Sequence, residues 1–177
     1  DSFTNTVFES NTAKESSGGA IFSAHCLKIN NCQFNMNSAL NGGGIYTYNG
    51  RVDFMTTTYY SGGRPSYSVT TPYYQRYCLD ITGKTKFTNN TAEEKGGAIR
   101  IYANDYATDN DLFGSLTIAK GAEFINNHAE TGGALSLSSV ESSIKNVDFK
   151  NNTASLGGGA INSNELSQMV VDYCTFE

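Results

Sequence analysis

The acidic residues Glu123 and Asp148 are the first candidates for chemistry, because each precedes a phenylalanine, as Lys86 does. If these phenylalanines are equivalent positions of a repeat, the three side chains form an outward column, with the carboxylates about 5 Å apart. Close carboxylates can share the acid and base roles of polysaccharide cleavage. The alternative is a surface ladder with a weak Lys86–Glu123 ion pair. Because no Arg or His converges there, we predict no catalytic residue.

An acidic stretch offers oxygen ligands of the kind that Ca²⁺ prefers. It holds Asp105, Asp109, Asn110 and Asp111 within a predicted insertion at 102–113. The spacing lacks the glycine and the terminal glutamate of an EF-hand loop. We therefore expect a solvated acidic loop and no metal site or cofactor.

A second predicted insertion, 55–77, is rich in tyrosine and leaves the repeat as a loop. It contains Tyr59, Tyr60, Tyr67, Tyr73, Tyr74 and Tyr77, interrupted by Pro65 and Pro72. Tyrosine on a loop can stack on sugars or fill a protein interface. Alternatively, the rings cover an irregular turn of chain around Phe54. Both interpretations fit the sequence.

The four cysteines suggest a disulfide framework, but the repeat spacing opposes one. Cys26 and Cys78 begin similar strings yet lie two repeats apart if Phe54 marks a repeat, about 9.6 Å, beyond the roughly 7 Å that a disulfide spans. Cys32 and Cys174 are five repeats apart. We expect all four to be small buried hydrophobic residues. His25 and His128 are expected on the surface, and Asn89 and Asn151 begin glycosylation sequons.

The element that positions these residues is a repeat of Phe, Asn three residues later and Ala five residues later. A Gly pair comes next, and the aliphatic residue that ends this segment lies 11 to 13 residues after each Phe. The copies begin at Phe8, Phe34, Phe87, Phe124 and Phe149, and Phe54 and Phe176 are partial copies. The period is close to 26 residues, and the short alternating runs indicate strands.

A period of this length without helix patterns predicts one turn of a parallel β-helix per repeat, stacked about 4.8 Å apart. The phenylalanines would stack inside, beside a column of alanines. Asn11, Asn37, Asn90, Asn127 and Asn152 would lie at a turn with left-handed backbone and bond one another. The Gly pair would allow positive φ or a close backbone approach. Seven rungs would span roughly 30 Å.

The paired motifs, Gly-Gly-Ala followed by Ile or Leu and Phe-x-x-Asn, resemble the repeats of the chlamydial polymorphic membrane proteins. The resemblance implies a right-handed parallel β-helix displayed outside the cell, with roles in adhesion or surface structure. The predicted fold is therefore an all-β solenoid of about seven coils, formed by 1–177 as one segment, with two inserted loops.

The composition excludes two classes of partner. Lys and Arg number 12 against 17 acidic residues, so no basic stripe for nucleic acid is present. No apolar run approaches the roughly 20 residues of a membrane span. We predict a structural or adhesive segment of an extracellular stalk or filament, with a carbohydrate-active enzyme as the alternative.

The expected partners follow from the repeat and the loops. Strand patterns at Asp1 and Glu177 suggest a fragment of a longer solenoid, with neighbouring coils or subunits at both open ends. A host-cell or surface protein, or a glycan, would bind the displayed loops.

Overall fold

The computed structural model of the protein describes residues 1–49, 52–74, 78–103, 114–164 and 167–177. Within those ranges the chain forms strands and turns and no helix. In chain order the strands are β1 (Ser2–Thr4), β2 (Val7–Glu9), β3 (Thr12–Ser17), β4 (Ile21–Ser23), β5 (Leu27–Asn30), β6 (Gln33–Asn35), β7 (Ser38–Asn41), β8 (Ile45–Asn49), β9 (Val52–Ser61), β10 (Arg64–Tyr74), β11 (Cys78–Thr82), β12 (Lys86–Thr88), β13 (Thr91–Lys95), β14 (Ile99–Ala103), β15 (Gly114–Ala119), β16 (Glu123–Ile125), β17 (His128–Thr131), β18 (Leu135–Ser138), β19 (Val140–Lys145), β20 (Asp148–Lys150), β21 (Thr153–Gly157), β22 (Ile161–Asn164), β23 (Gln168–Asp172) and β24 (Thr175–Phe176).

Four parallel sheets make up the body of the protein. Sheet 1 is ordered β1-β5-β11-β15-β19-β23 and sheet 2 is ordered β2-β6-β12-β16-β20-β24. Sheet 3 is ordered β3-β7-β13-β17-β21 and sheet 4 is ordered β4-β8-β14-β18-β22. The chain passes through sheets 1 to 4 in turn and returns to sheet 1 beside the previous strand. The predicted right-handed parallel β-helix is confirmed.

Side chains alternate between the core and the solvent because successive residues of a strand point to opposite faces. In β15, Leu116 and Ile118 are buried whereas Ser115 and Thr117 are exposed. Each strand pairs in register with the equivalent strand of the next coil, so like residues meet along the axis. In sheet 3, for example, Ala92 pairs with Ala39, and Ala129 pairs with Ala154. These alanines belong to the predicted alanine column.

The predicted phenylalanine column forms the centre of the core. Neighbouring rings are 4.6 to 5.0 Å apart and almost parallel. The column runs Phe8, Phe34, Phe87, Phe124, Phe149 and Phe176. Four of these rings, from Phe34 to Phe149, are fully or almost fully buried.

The predicted number of about seven coils was wrong. Phe54 lies on β9, which pairs with β10 alone, and Phe34 pairs directly with Phe87. The column therefore has six rungs and a height of about 24 Å, not 30 Å. The cause is that residues 52–74 leave the solenoid altogether, so the turn of chain around Phe54 is not a coil.

The predicted asparagine ladder satisfies its buried polar groups. Asn37 Nδ2 donates to Asn90 Oδ1 at 2.9 Å, and Asn90 Nδ2 donates to Asn127 Oδ1 at 3.0 Å. The second amide hydrogen of Asn90 goes back to the Phe34 carbonyl at 2.9 Å. Positive φ was predicted at these asparagines and is instead found one residue earlier, as at Asn89 (φ 56°). The left-handed residue makes the corner, and its successor then turns its amide inward.

The two glycines of the pair Gly96–Gly97 meet different demands. Gly96 has a φ of 69°, which β-carbon-bearing residues rarely adopt. Gly97 has no such φ, but a Cβ there would collide with the backbone carbonyl oxygen of Gly133 in the next coil. Both predicted reasons for glycine therefore apply, one to each position. Across the described ranges, no helix is long and apolar enough to span a membrane.

Candidate binding surface

The largest differences in chain length between coils occur at the connections from sheet 4 to sheet 1, which we call the insertion corner. These connections are residues 24–26, 50–77, 104–113, 139 and 165–167. The single residue Ser139 is enough to turn this corner, whereas the connection between β8 and β11 contains the whole β9–β10 hairpin. The second insertion was predicted to begin at residue 102, but Tyr102 and Ala103 belong to β14. Both insertions leave from adjacent coils.

A disulfide joins Cys26 and Cys78 at the insertion corner, so the prediction of four unpaired cysteines was wrong for this pair. Their Cα atoms are 4.4 Å apart. The following residues, Leu27 and Leu79, are directly paired between β5 and β11. Because the hairpin lies outside the solenoid, the two cysteines are one coil apart and not two. The disulfide therefore links two neighbouring coils at the position where the β9–β10 hairpin is inserted.

Cys32 and Cys174 remain free thiols, as predicted. Cys32 is fully buried, and its Sγ lies 3.3 Å from the Asn30 carbonyl oxygen. Cys174 is partly buried and packs against the core. Both therefore act as small core residues.

Residues 52–74 form an antiparallel hairpin, which corrects the prediction of a loop. On one face the rings of Tyr59 and Tyr67 stack with centroids 4.7 Å apart. These rings are 46% and 58% exposed, and Tyr60 is 68% exposed. The three tyrosines therefore do not cover the solenoid, contrary to one of the two interpretations. Tyr77 and the side chains of Tyr73 and Tyr74 lie outside the described residues.

The other face of the hairpin is a row of hydroxyl groups. The hydroxyls of Thr56 and Thr70 lie 3.0 Å apart, and those of Thr58 and Ser68 lie 2.9 Å apart. These cross-strand hydrogen bonds stabilise the hairpin. The hairpin thus displays the stacked rings of Tyr59 and Tyr67 on one side, and the row of hydroxyls together with Tyr60 on the other.

A row of aromatic residues on the outer face of sheet 4 was not predicted from the sequence. It comprises Phe22, Tyr46, Tyr48 and Tyr102, and we call it the aromatic row. Successive ring centroids are 5.4, 6.4 and 5.8 Å apart. The alternation Ile45-Tyr46-Thr47-Tyr48 was the available indication, since it places both tyrosines on the outer face.

Arg100 lies next to Tyr46 and Tyr102 of the aromatic row and is only 4% exposed. Its guanidinium donates to Ser136 Oγ at 2.9 Å and lies 5.3 Å from the centre of the Tyr102 ring, a cation–π distance. Burial raises the pKa of the Tyr46 hydroxyl above its usual value, and the charge of Arg100 partly offsets this effect. A buried cation, in contact with Ser136 and Tyr102, therefore lies beside the row.

An open groove of about 430 Å³ follows the outer face of sheet 1 beyond the same corner. Ser115, Thr117, Ser143 and Gln168 line it with hydroxyl and amide groups, and Glu141 is its carboxylate. Such groups can bond to hydroxylated ligands. The hairpin, the aromatic row and the groove all adjoin the insertion corner.

The predicted acidic column lies elsewhere, on sheet 2. Lys86 pairs with Glu123, and Glu123 pairs with Asp148, as expected. Lys86 Nζ and Glu123 Oε2 form an ion pair at 3.0 Å, with both side chains partly exposed. The register was therefore predicted correctly.

The remaining residues singled out in the sequence are the acidic stretch, the two histidines and the two sequon asparagines. Asp105, Asp109, Asn110 and Asp111 lie outside the described residues. Within the described part of the chain, no group of three or more His, Cys, Asp or Glu residues could hold a metal ion. His25 and His128 are exposed, and His128 Nδ1 lies 2.9 Å from Thr153 Oγ1. Asn89 and Asn151 are exposed at turns.

A comparison with known protein families identifies a sequence repeat that coincides with the coils of the structure. The family model for the Chlamydia polymorphic membrane protein repeat matches residues 5–24, 84–102 and 146–164. Each match begins near a phenylalanine of sheet 2 and ends on sheet 4, so it takes in the asparagine turn and the glycine pair. The matches together cover about a third of the chain. No curated protein and no solved structure matches the chain. The predicted resemblance is thus confirmed, and the chain carries the Chlamydia polymorphic membrane protein repeat at three places along one β-helix.

Proposed function

We propose that this chain is a structural or adhesive segment of an extracellular stalk or filament, and that it has no enzymatic activity of its own. The repeat and the fold suggest a structural protein of the cell surface. The observation that carries the proposal is the contrast between a regular body of stacked coils and the insertion corner, where a separate hairpin displays exposed tyrosines.

The body has the properties of a stiff spacer. Four sheets run the length of the stack, and rings and amides continue from coil to coil in its centre. In such a solenoid each coil is stabilised by its neighbours, so the stack resists bending and local opening. Stiffness of this kind suits a stalk that holds a binding surface away from a membrane.

The disulfide supports an extracytoplasmic location. Disulfides persist in oxidising compartments and at cell surfaces and are rare in the cytosol. The Cys26 residue is exposed, so a reducing cytosol would have access to the bridge. An exposed bridge at the insertion corner is therefore consistent with a chain that works outside the cell.

Exposed tyrosines on the hairpin support an adhesive role. Tyr59, Tyr60 and Tyr67 present apolar rings with polar tips, which suits contact with a protein surface or with sugars. We propose a host-cell or surface protein, or a glycan, as the ligand of the hairpin, and neighbouring coils or subunits as partners at the ends of the stack. The Lys86–Glu123 ion pair favours a surface ladder over a catalytic acid pair.

The test is a binding assay with immobilised protein on cells and on glycan arrays. We expect the variant Tyr59→Ser/Tyr60→Ser/Tyr67→Ser to lose binding and to keep the melting temperature of the parent. The matched control is Val7→Ser/Leu156→Ser, which removes exposed apolar groups from other surfaces. Full binding by the tyrosine variant, or release of sugar fragments from a polysaccharide by the parent, would contradict the proposal.

A further inference from the structure

The outer edge of β9 is unpaired in the described part of the chain. The hairpin forms a two-stranded sheet of its own, and neither of its strands belongs to the four sheets of the body. A two-stranded hairpin alone is marginally stable in water, and three or more strands are normally needed. The exposed hairpin therefore presents strands that additional pairing would stabilise.

The two edges of the hairpin differ in their protection. Edge strands are usually guarded by proline, charge or short length. β10 contains Pro65 and Pro72, and proline is tolerated in a strand where its nitrogen faces away from the paired neighbour. Those prolines interrupt the row of donors on the outer edge of β10. β9 contains no proline and no glycine, and its one charged residue, Asp53, lies near its start, so the edge from residue 54 to 61 is unguarded.

We propose that the β9 edge pairs with the β9 edge of a second copy of this chain, in the antiparallel direction. A two-fold axis perpendicular to the sheet requires a residue to face its own counterpart. With the axis at Thr57, Thr56 would face Thr58 and Met55 would face Tyr59. No like charges would meet, because Asp53, the one charged residue of β9, would face Ser61 of the second copy.

The resulting sheet would have four strands in the order β10-β9-β9-β10. Its aromatic face would contain the stacked Tyr59 and Tyr67 of both copies, and Thr57 would lie at its centre beside Val69. A four-stranded sheet with one partly apolar face meets the minimum for a stable sheet. The pairing does not depend on the adhesive role, although it would double the number of exposed tyrosines.

The experiment measures the molar mass of the whole chain in solution by sedimentation and light scattering at increasing concentration. The parent is expected to approach twice the 19.1 kDa of one chain. Thr57→Lys places two lysines at or next to the axis and should weaken the dimer by about tenfold or more. The matched control is Val69→Lys, which adds the same charge on the paired residue of β10, away from the axis.

A mixture of chains with Thr57→Lys and Thr57→Glu provides a rescue. Opposite charges would then face each other at the axis, and the mixed dimer should return. Circular dichroism and melting of each variant confirm that the solenoid is intact. A parent that stays monomeric at every concentration overturns the proposal, as does an equal loss in Thr57→Lys and Val69→Lys. A dimer unaffected by either variant would place the contact on another surface and would also overturn it.

Discussion

Asn90 donates its side-chain amide to Oδ1 of Asn127 at 3.0 Å, and neither side chain is exposed. The same Oδ1 also accepts the backbone N–H of Asn90 at 3.0 Å. The inner ladder amides of Asn37, Asn90 and Asn127 therefore each use both of their hydrogens and accept two. Because buried polar groups are costly when unpaired, this complete pairing allows a polar column to lie beside the phenylalanine column.

Replacing Asn90 with Leu should destabilise the protein strongly. The substitution removes the acceptor of Asn37 and the donor to the Phe34 carbonyl. Each orphaned buried group costs about 1–3 kcal/mol, so the free energy of unfolding should fall by about 3 kcal/mol or more. Urea denaturation measures this change. Asn35→Leu is the control, because its bond to Glu9 lies at the surface and should matter by less than about 0.5 kcal/mol.

Replacing Phe124 with Ala should open a cavity in the middle of the phenylalanine column. The ring stacks on Phe87 at 4.8 Å and on Phe149 at 5.0 Å. We expect a loss of about 3–5 kcal/mol in the free energy of unfolding. Phe22→Ala, which removes a ring that is 57% exposed, should cost about 1 kcal/mol or less. Similar losses for the two variants would contradict the central placement of Phe124.

Reduction of the Cys26–Cys78 bridge should lower the melting temperature. The bridge closes a long loop, since the cysteines are 52 residues apart, and the chain-entropy model gives about 4 kcal/mol for such a loop. Mass spectrometry of the denatured, unreduced protein should count two free thiols. Cys26→Ser/Cys78→Ser should melt like the reduced parent, whereas Cys174→Ala should keep its sensitivity to reductant. Four free thiols would show that no bridge forms.

The stability of the protein should fall at alkaline pH in a way that depends on Tyr46. Its pKa is raised in the folded state by burial, so the folded protein holds this proton more tightly than the unfolded chain. Stability therefore decreases as the pH rises above the ordinary tyrosine value of about 10 towards the folded pKa. Tyr46→Phe should remove this decrease. Tyr60→Phe, at an exposed position, should leave it in place, as followed by melting between neutral and alkaline pH.

Most of the solenoid could be predicted because each coil has the same packing, hydrogen-bonding and turn requirements. A stacked ring, a bonded amide and a turn without Cβ are needed once per coil, so Phe, Asn and Gly recur at fixed spacing. The error at Phe54 arose from counting its ring and the degenerate Gly62-Gly63 after it as a partial copy of the repeat. Thr57 and Tyr59 stand where a true repeat has Asn and Ala, and their presence already indicated that this phenylalanine is not a rung.

The disulfide and the aromatic row were missed for different reasons. Cys26 and Cys78 introduce the similar strings Cys-Leu-Lys-Ile and Cys-Leu-Asp-Ile, and they become neighbours once Phe54 is removed from the count. The aromatic row has no repeat to reveal it, because outer positions need not match from coil to coil. Tyr46 follows Phe22 but is followed by Arg100 on the next coil. Contacts of this kind are set by the fold and not by the period.

The insertion corner has a consequence for how such a protein can diversify. A coil closes correctly whether a single residue or an entire hairpin separates sheet 4 from sheet 1, since the cost of closing a loop grows slowly with its length. Segments can therefore be gained, lost or exchanged at the insertion corner during evolution, or grafted there by design. The surface groups displayed at the insertion corner would then change while the solenoid keeps the same fold.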